Sequence, residues 1–110
     1  KKGALRLMAI VITLDSSATL RGIDSLRERL LESFADHSSV ELNASAVAEV
    51  DLSFLQLLEA ARAHAAHEDK TIRLSNPANP ALKALLERAG FLAAPSADDL
   101  EFWFHGDLPQ

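Results

Sequence analysis

Asp51 and Ser53 stand two positions apart in "AEVDLSFLQLL" (48–58), so a carboxylate and a hydroxyl share one short stretch. Such a pair can do three kinds of chemistry. The carboxylate can cap a helix that begins behind it, accepting from the amide of Ser53 or Phe54, at typically about 1 kcal/mol. It also suits the positive end of the helix dipole. The hydroxyl can accept a phosphate, which brings about −1.5 to −2 charges and is favoured beside helix N-terminal amides. The hydroxyl can also be a nucleophile, but that needs a base aimed at it, and the chain has no "G-x-S-x-G" elbow. No catalytic residue is therefore assigned.

A second cluster, "HAAHED" (64–69), sets His64 and His67 three apart, with Glu68 and Asp69 adjacent. Two imidazoles need a third fixed ligand to hold a metal, and the negative end of a helix accommodates the same pair without one. Four scattered glycines make no phosphate-cradling loop. Neither a metal nor a cofactor is expected.

The composition bounds the rest. The 110 residues are 48% hydrophobic and 25% charged, which fits one globular domain with a real core. The absence of cysteine excludes disulfides, thiolate metal sites and cysteine nucleophiles, and fits a reducing, cytoplasmic location. Eleven Lys and Arg are scattered among sixteen Asp and Glu. Nucleic acid is excluded as a partner, because backbone binding needs clustered cations. The longest apolar run, "ALRLMAIVITL", is shorter than the roughly 18 residues of a membrane helix, so no membrane insertion is expected. It follows "KKG" in the manner of a signal peptide, but no small-residue cleavage site follows it.

Those residues must be held by regular elements. "LRLMAIVITL" (5–14) ends in β-branched residues before "DSS" and reads as a strand, and "ATL" (18–20) as a short second strand. Ile23, Leu26, Leu30 and Phe34 recur at helical spacing, giving an amphipathic helix over about 22–36. "VELNAS" (40–45) is a strand with Asn43 and Ser45 at its exit, and "KTIRLS" (70–75) is another. Between them a helix over about 52–67 buries Phe54, Leu57, Leu58, Ala61 and Ala65. Leu52, Gln56, Glu59 and Ala63 fall on its opposite side, with Ser53 at the edge, beside free backbone amides. "NPANPALKALLERAGF" has Asn79 as N-cap, Pro80 at the first helical position and Gly90 just past the end, with Leu82, Leu85, Leu86 and Ala89 as its stripe. Phe102, Trp103 and Phe104 are three of the six aromatics, and read as an exposed interaction patch or as a final strand or flap over the core, with alternation sending Trp103 to the other face. Strands alternating with helices predict an α/β domain: four or five strands in a mixed, largely parallel sheet, with helices packed mainly on one face.

From about Ile10 to Leu92 the chain resembles the STAS domain family of anti-sigma-factor antagonists and sulphate-transporter tails. The residues that carry the resemblance are "VELNAS", "VAEVDLSFLQLL" and "KTIRLSNPANPALKALLERAGF". The family pattern places "D-[ST]-[ST]-G-L" at a helix start between two strands. Asp51 and Leu55 match it, Ser53 matches the second hydroxyl position, Leu52 replaces the first and Phe54 replaces the glycine. Asn43 stands where many members carry Asp. In the family the first hydroxyl is phosphorylated by a serine kinase that is also the anti-sigma factor; Leu52 cannot be.

The resemblance implies a single STAS-like domain over 1–110, with its core at about 10–92 and residues 93–110 as an aromatic tail or extra strand. It implies a regulatory binding module, not an enzyme. The partner is a serine kinase/anti-sigma factor or, alternatively, the ATPase of a lipid-transport ABC system, with a homodimer also open. The partner-binding residues it implies are Asp51, Leu52, Ser53 and Gln56, with Ser53 the remaining candidate phosphoacceptor.

Overall fold

The computed structural model describes residues 9–106. Residues 5–8 of the expected first strand and 107–110 of the tail lie outside the described residues. Three strands, β1 (Ala9–Thr13), β3 (Ser39–Asn43) and β5 (Thr71–Leu74), form one sheet in the order β1-β3-β5. Both pairings are parallel, with Ile12, Leu42 and Leu74 in one row across the sheet and Ile10, Val40 and Ile72 in another. Those two rows face the core: Val40 and Leu42 are fully buried, and Ile12 and Leu74 nearly so. The intervening residues, Val11, Glu41 and Arg73 among them, lie on the opposite, more open face. A period of two therefore sorts the side chains, and the apolar face needs a covering layer.

Helices supply that layer. α1 (Ile23–Asp36) buries Ile23, Leu26, Leu30 and Phe34, and α2 (Leu52–His67) packs against both α1 and β5. α3 (Pro80–Arg88) starts on Asn79, whose Oδ1 accepts from the Leu82 amide at 2.9 Å, and ends before Gly90 at φ 84°. The expected stripe Leu82, Leu85 and Leu86 is buried, but Ala89 falls past the last turn and is exposed. A further pair of strands, β2 (Ser17–Ala18) and β4 (Glu49–Val50), makes a separate two-stranded parallel sheet. The α/β fold with a largely parallel sheet is thus as expected, its five strands divided three and two among the described residues.

The aromatic tail departs from the expected strand. Ala97–Phe104 is a helix, α4, begun by Ser96 and Asp99, each bonding the other's backbone at 3.0 Å. Phe102, Trp103 and Phe104 are all buried, so Trp103 does not point to the opposite face and the three make no exposed patch. Three consecutive residues can all be buried on a helix only where the core surrounds most of it. Here the Ala78 amide donates to the Trp103 carbonyl at 2.7 Å, the His105 ring meets the Leu74 carbonyl at 2.8 Å, and the Arg62 guanidinium stacks over Phe102 at 4.7 Å.

Candidate functional site

The site is the junction where β4 runs into α2. β2 and β4 pair Ser17 with Glu49 and Ala18 with Val50, and two further bonds bring the Ala48 and Glu49 amides onto the Ser16 carbonyl. Just past the strands, the Leu20 amide reaches the Asp51 side chain. Leu20 opens a single 3-10 turn, Leu20–Gly22, that leads into α1.

Asp51 stands between the two segments in extended backbone, φ −134° and ψ 179°, the conformation of an N-cap. Its Oδ1 accepts from the Ser53 amide at 3.1 Å and from the Ser53 hydroxyl at 2.5 Å. Its Oδ2 accepts from the Leu20 amide, 31 residues away in sequence, at 2.9 Å. Its own carbonyl accepts from Phe54 at 3.1 Å. Donors gathered on a carboxylate favour the ionised form. The Ser53 hydroxyl, followed by the Leu20 amide, accordingly holds the Asp51 carboxyl below its ordinary value.

This geometry corrects one expectation. The Ser53 and Phe54 amides are not free for an added anion, because Asp51 already occupies both. The rest of the first turn is arranged as the helical wheel predicts: Leu52 is 47% exposed, Gln56 is exposed and Ser53 is half-buried. Leu55, which the wheel left out of the buried stripe, is fully buried with Phe54 and Leu58.

Sequence reasoning missed Leu20, which is 69% exposed and donates its amide to Asp51. Its only signal is an apolar residue between polar neighbours, and the two-residue strands that align it are too short to show a period. The sequence pattern marks Asn79 only as a cap. Its Nδ2 also donates to the Val47 carbonyl at 2.7 Å and reaches the Ala44 carbonyl at 3.4 Å, which ties down the loop that leads into β4.

The other candidates separate from this site. The His64 ring lies edge-on to Phe34 with centroids 5.3 Å apart, and exposed His67 faces only Glu68 at 3.8 Å. No group of three metal-ligating side chains occurs among the described residues. A groove of about 590 Å³ runs between α2, β5 and α4, edged by charges of both signs such as Lys70, Arg73, Asp98 and Glu101, and it contains none of Asp51, Leu52, Ser53 or Gln56. No helix among the described residues is long and apolar enough to cross a membrane.

Comparison with known proteins bears on the fold directly. Residues 4–93 match the family profile described as "Mlab, STAS domain", a span that holds every residue of the site and ends before α4. Among solved structures, the chain is similar to the Bacillus cell fate determinant SpoIIAA in its phosphorylated form, with a TM-score of 0.60 at 15% identity, over 74% of this chain and 75% of that one. Likeness at that identity establishes a shared fold. No curated protein matches the chain. With the profile covering most of its length, the chain belongs to the STAS domain family.

Proposed function

We propose that this STAS domain is a regulatory protein–protein interaction module of the anti-sigma-factor-antagonist kind, which docks a partner through the first turn of α2. The observation that carries the reading is Leu52, a large apolar side chain held 47% exposed at the position where the family resemblance places the switch residue. Around it Asp51 fixes the turn, while Gln56 offers a polar contact. The partner is a serine kinase/anti-sigma factor. Asp51 accepts the Ser53 hydroxyl, but its lowered pKa makes it a weaker base than an ordinary carboxylate, which disfavours catalysis at Ser53.

A second reading, an accessory subunit on the ATPase of a lipid-transport ABC system, draws on the same residue. Leucine at the acceptor position gives a permanent apolar contact, which suits a subunit that stays bound. Neighbouring genes for a sigma factor and an ATP-binding kinase would favour the first reading, and transporter genes the second.

The deciding experiment is a pull-down from native lysate with wild type and Leu52→Asp. The charge is expected to abolish retention of a specific protein; equal retention would show that the docking surface lies elsewhere. Incubation with the cognate kinase and phosphate mapping by mass spectrometry is expected to leave Ser53 unlabelled, since its hydroxyl is already engaged. Labelling at Ser53 would instead make it the regulated hydroxyl.

A further inference from the structure

β5 is an edge strand, paired only with β3 among the described residues. The Thr71 and Ser75 amides donate to the Ser38 and Leu42 carbonyls at 2.9 and 2.8 Å. By alternation, Ile72 and Leu74 turn their N–H and C=O groups away from β3. The Leu74 carbonyl is taken by the His105 ring at 2.8 Å. The Leu74 amide and both main-chain groups of Ile72 have no hydrogen-bond partner among the described residues. An edge of this kind is a template for a further strand. The groove of about 590 Å³ between α2, β5 and α4 runs beside it, and its size is within the range of ligand sites. On the α2 side the small side chains of Ala65 and Ala66 leave that room.

The charges of the groove decide what such a strand carries. Its cations already have partners within the chain. Arg62 bonds Glu59 at 2.9 Å and Asp99 at 3.2 Å, Lys70 Nζ donates to the Phe34 carbonyl, and Arg73 lies 3.9 Å from Glu41 across the open sheet face. Asp98 and Glu101 stand three apart on α4, so one face of that helix turns both into the groove. Both are exposed, and neither side chain has an ionic or hydrogen-bond partner among the described residues. The uncompensated charge is therefore negative, beside the apolar surface of Ile72 and Phe102. We propose that the β5 edge beside α4 is a second interaction surface, taking an extended peptide segment of a partner that pairs with Ile72 and Leu74 through its main chain and turns a lysine or arginine toward Asp98 and Glu101. Main-chain bonds then supply affinity and the carboxylates supply selectivity. None of Asp51, Leu52, Ser53 or Gln56 lines this groove, so it stands apart from the first turn of α2.

The probe is a blocked hexapeptide of alternating valine and lysine, whose period of two puts its lysines on one face of a strand. Titrated into ¹⁵N-labelled protein, it should shift the Ile72 and Leu74 amide resonances and slow their hydrogen exchange. Ile72 and Leu74 amides that ignore the peptide at millimolar concentration would overturn the proposal. The same peptide N-methylated at every backbone amide cannot donate to the edge and should not bind. Equal binding by that analogue would exclude strand pairing. A valine–glutamate peptide should not bind either, and binding as tight as that of the lysine peptide would remove the carboxylates from the site.

Variants of the protein give the second arm. Glu101→Lys is expected to weaken the lysine peptide about fivefold, the scale of losing an exposed ion pair and gaining a like charge, with an unchanged melting temperature. Glu101→Gln should weaken it by a smaller factor. Raising the salt concentration should weaken binding more in wild type than in Glu101→Lys. An affinity that ignores both substitutions would overturn the basic occupant. Leu52→Asp should leave the peptide affinity unchanged, so failure of this surface and failure of the α2 surface are read separately. Without peptide the protein should sediment as a monomer. A dimer whose Ile72 and Leu74 amides are protected, and which excludes the peptide, would put a second copy on the edge and overturn the assignment to a partner segment.

Discussion

Asp51 accepts three hydrogen bonds on two oxygens, and each does a different task. The Ser53 amide bond starts α2, the Leu20 amide bond holds the neighbouring turn, and the Ser53 hydroxyl bond contributes most to keeping the carboxyl ionised. The sign of the pH dependence follows. A carboxylate whose folded pKa lies below its unfolded value adds stability that is complete above the unfolded pKa and is lost as pH falls through the folded one. Wild type should therefore exceed Asp51→Asn in stability near neutrality, by less than the roughly 1 kcal/mol that losing the cap altogether costs, because asparagine also caps helices. The gap should close on acidification below the ordinary carboxylate range. Urea unfolding of both proteins across the acid range checks this, and a gap constant with pH would remove the charge from the account. Ser53→Ala should raise the Asp51 pKa back toward its ordinary value while changing stability by roughly 1 kcal/mol or less, which carbon-detected NMR of the carboxyl can follow. Ser53→Asp would set a second carboxylate against the first and should raise the Asp51 pKa.

Elements were legible in the sequence where their ends carry chemistry. α2 spans Leu52–His67, as its cap and stripe predict, and α3 lies between Asn79 with Pro80 and Gly90 because those three residues have few other uses in that order. The ends of β2 and β4 carry no such marks, so this pair, and the Leu20 bond to Asp51 beside it, emerge only from tertiary structure. Taken alone, "EFWF" reads as a strand or flap over the core; it does cover the core, but as a helix. The signal that would have corrected it lay upstream, in Ser96 followed three residues later by Asp99, a reciprocal capping pair. Asn79 joins two elements in one side chain, and its two ends can be separated by mutation. Asn79→Asp keeps the acceptor for Leu82 and loses the donors to Val47 and Ala44, whereas Asn79→Ala loses both. Asn79→Ala is expected to lower stability by about 1 kcal/mol for the cap alone, plus the clamp. Asn79→Asp should leave α3 protected while hydrogen exchange quickens at Val47–Val50. Unchanged exchange there would show that the loop stands without Asn79.

At the scale of the whole molecule, the family profile and the physical core do not end together. The profile stops at residue 93, yet Trp103 is 1% exposed, and Phe102 and Phe104 are buried beside it. α4 is also tied to the rest by polar contacts: Arg62 bonds Asp99 at 3.2 Å, and the backbones of Ala78 and Trp103 are joined. Ser96 and Arg62 together hold the Asp99 carboxyl below its ordinary value, so this attachment should loosen in acid by the same sign as Asp51. α4 therefore belongs to the core of this chain although it lies beyond the span matched to the family. Truncation after residue 93 tests the point. Burying each aromatic side chain contributes roughly 1.5–3 kcal/mol, so the three together represent a large part of the 5–15 kcal/mol that holds a typical domain folded. The shortened chain should lose its cooperative melting transition, bind a hydrophobic dye and give collapsed amide dispersion, while Trp103→Ala in the full chain should cost about 3–5 kcal/mol. If the truncated chain melts cooperatively near the wild-type temperature, α4 is an attachment. It could then be removed to ask whether the proposed surface at Leu52 retains a partner without it. If the truncated chain unfolds, the proposed docking surface depends on a helix far beyond it in sequence. Mutations in α4 would then weaken binding through the fold, and should do so in proportion to the stability they remove.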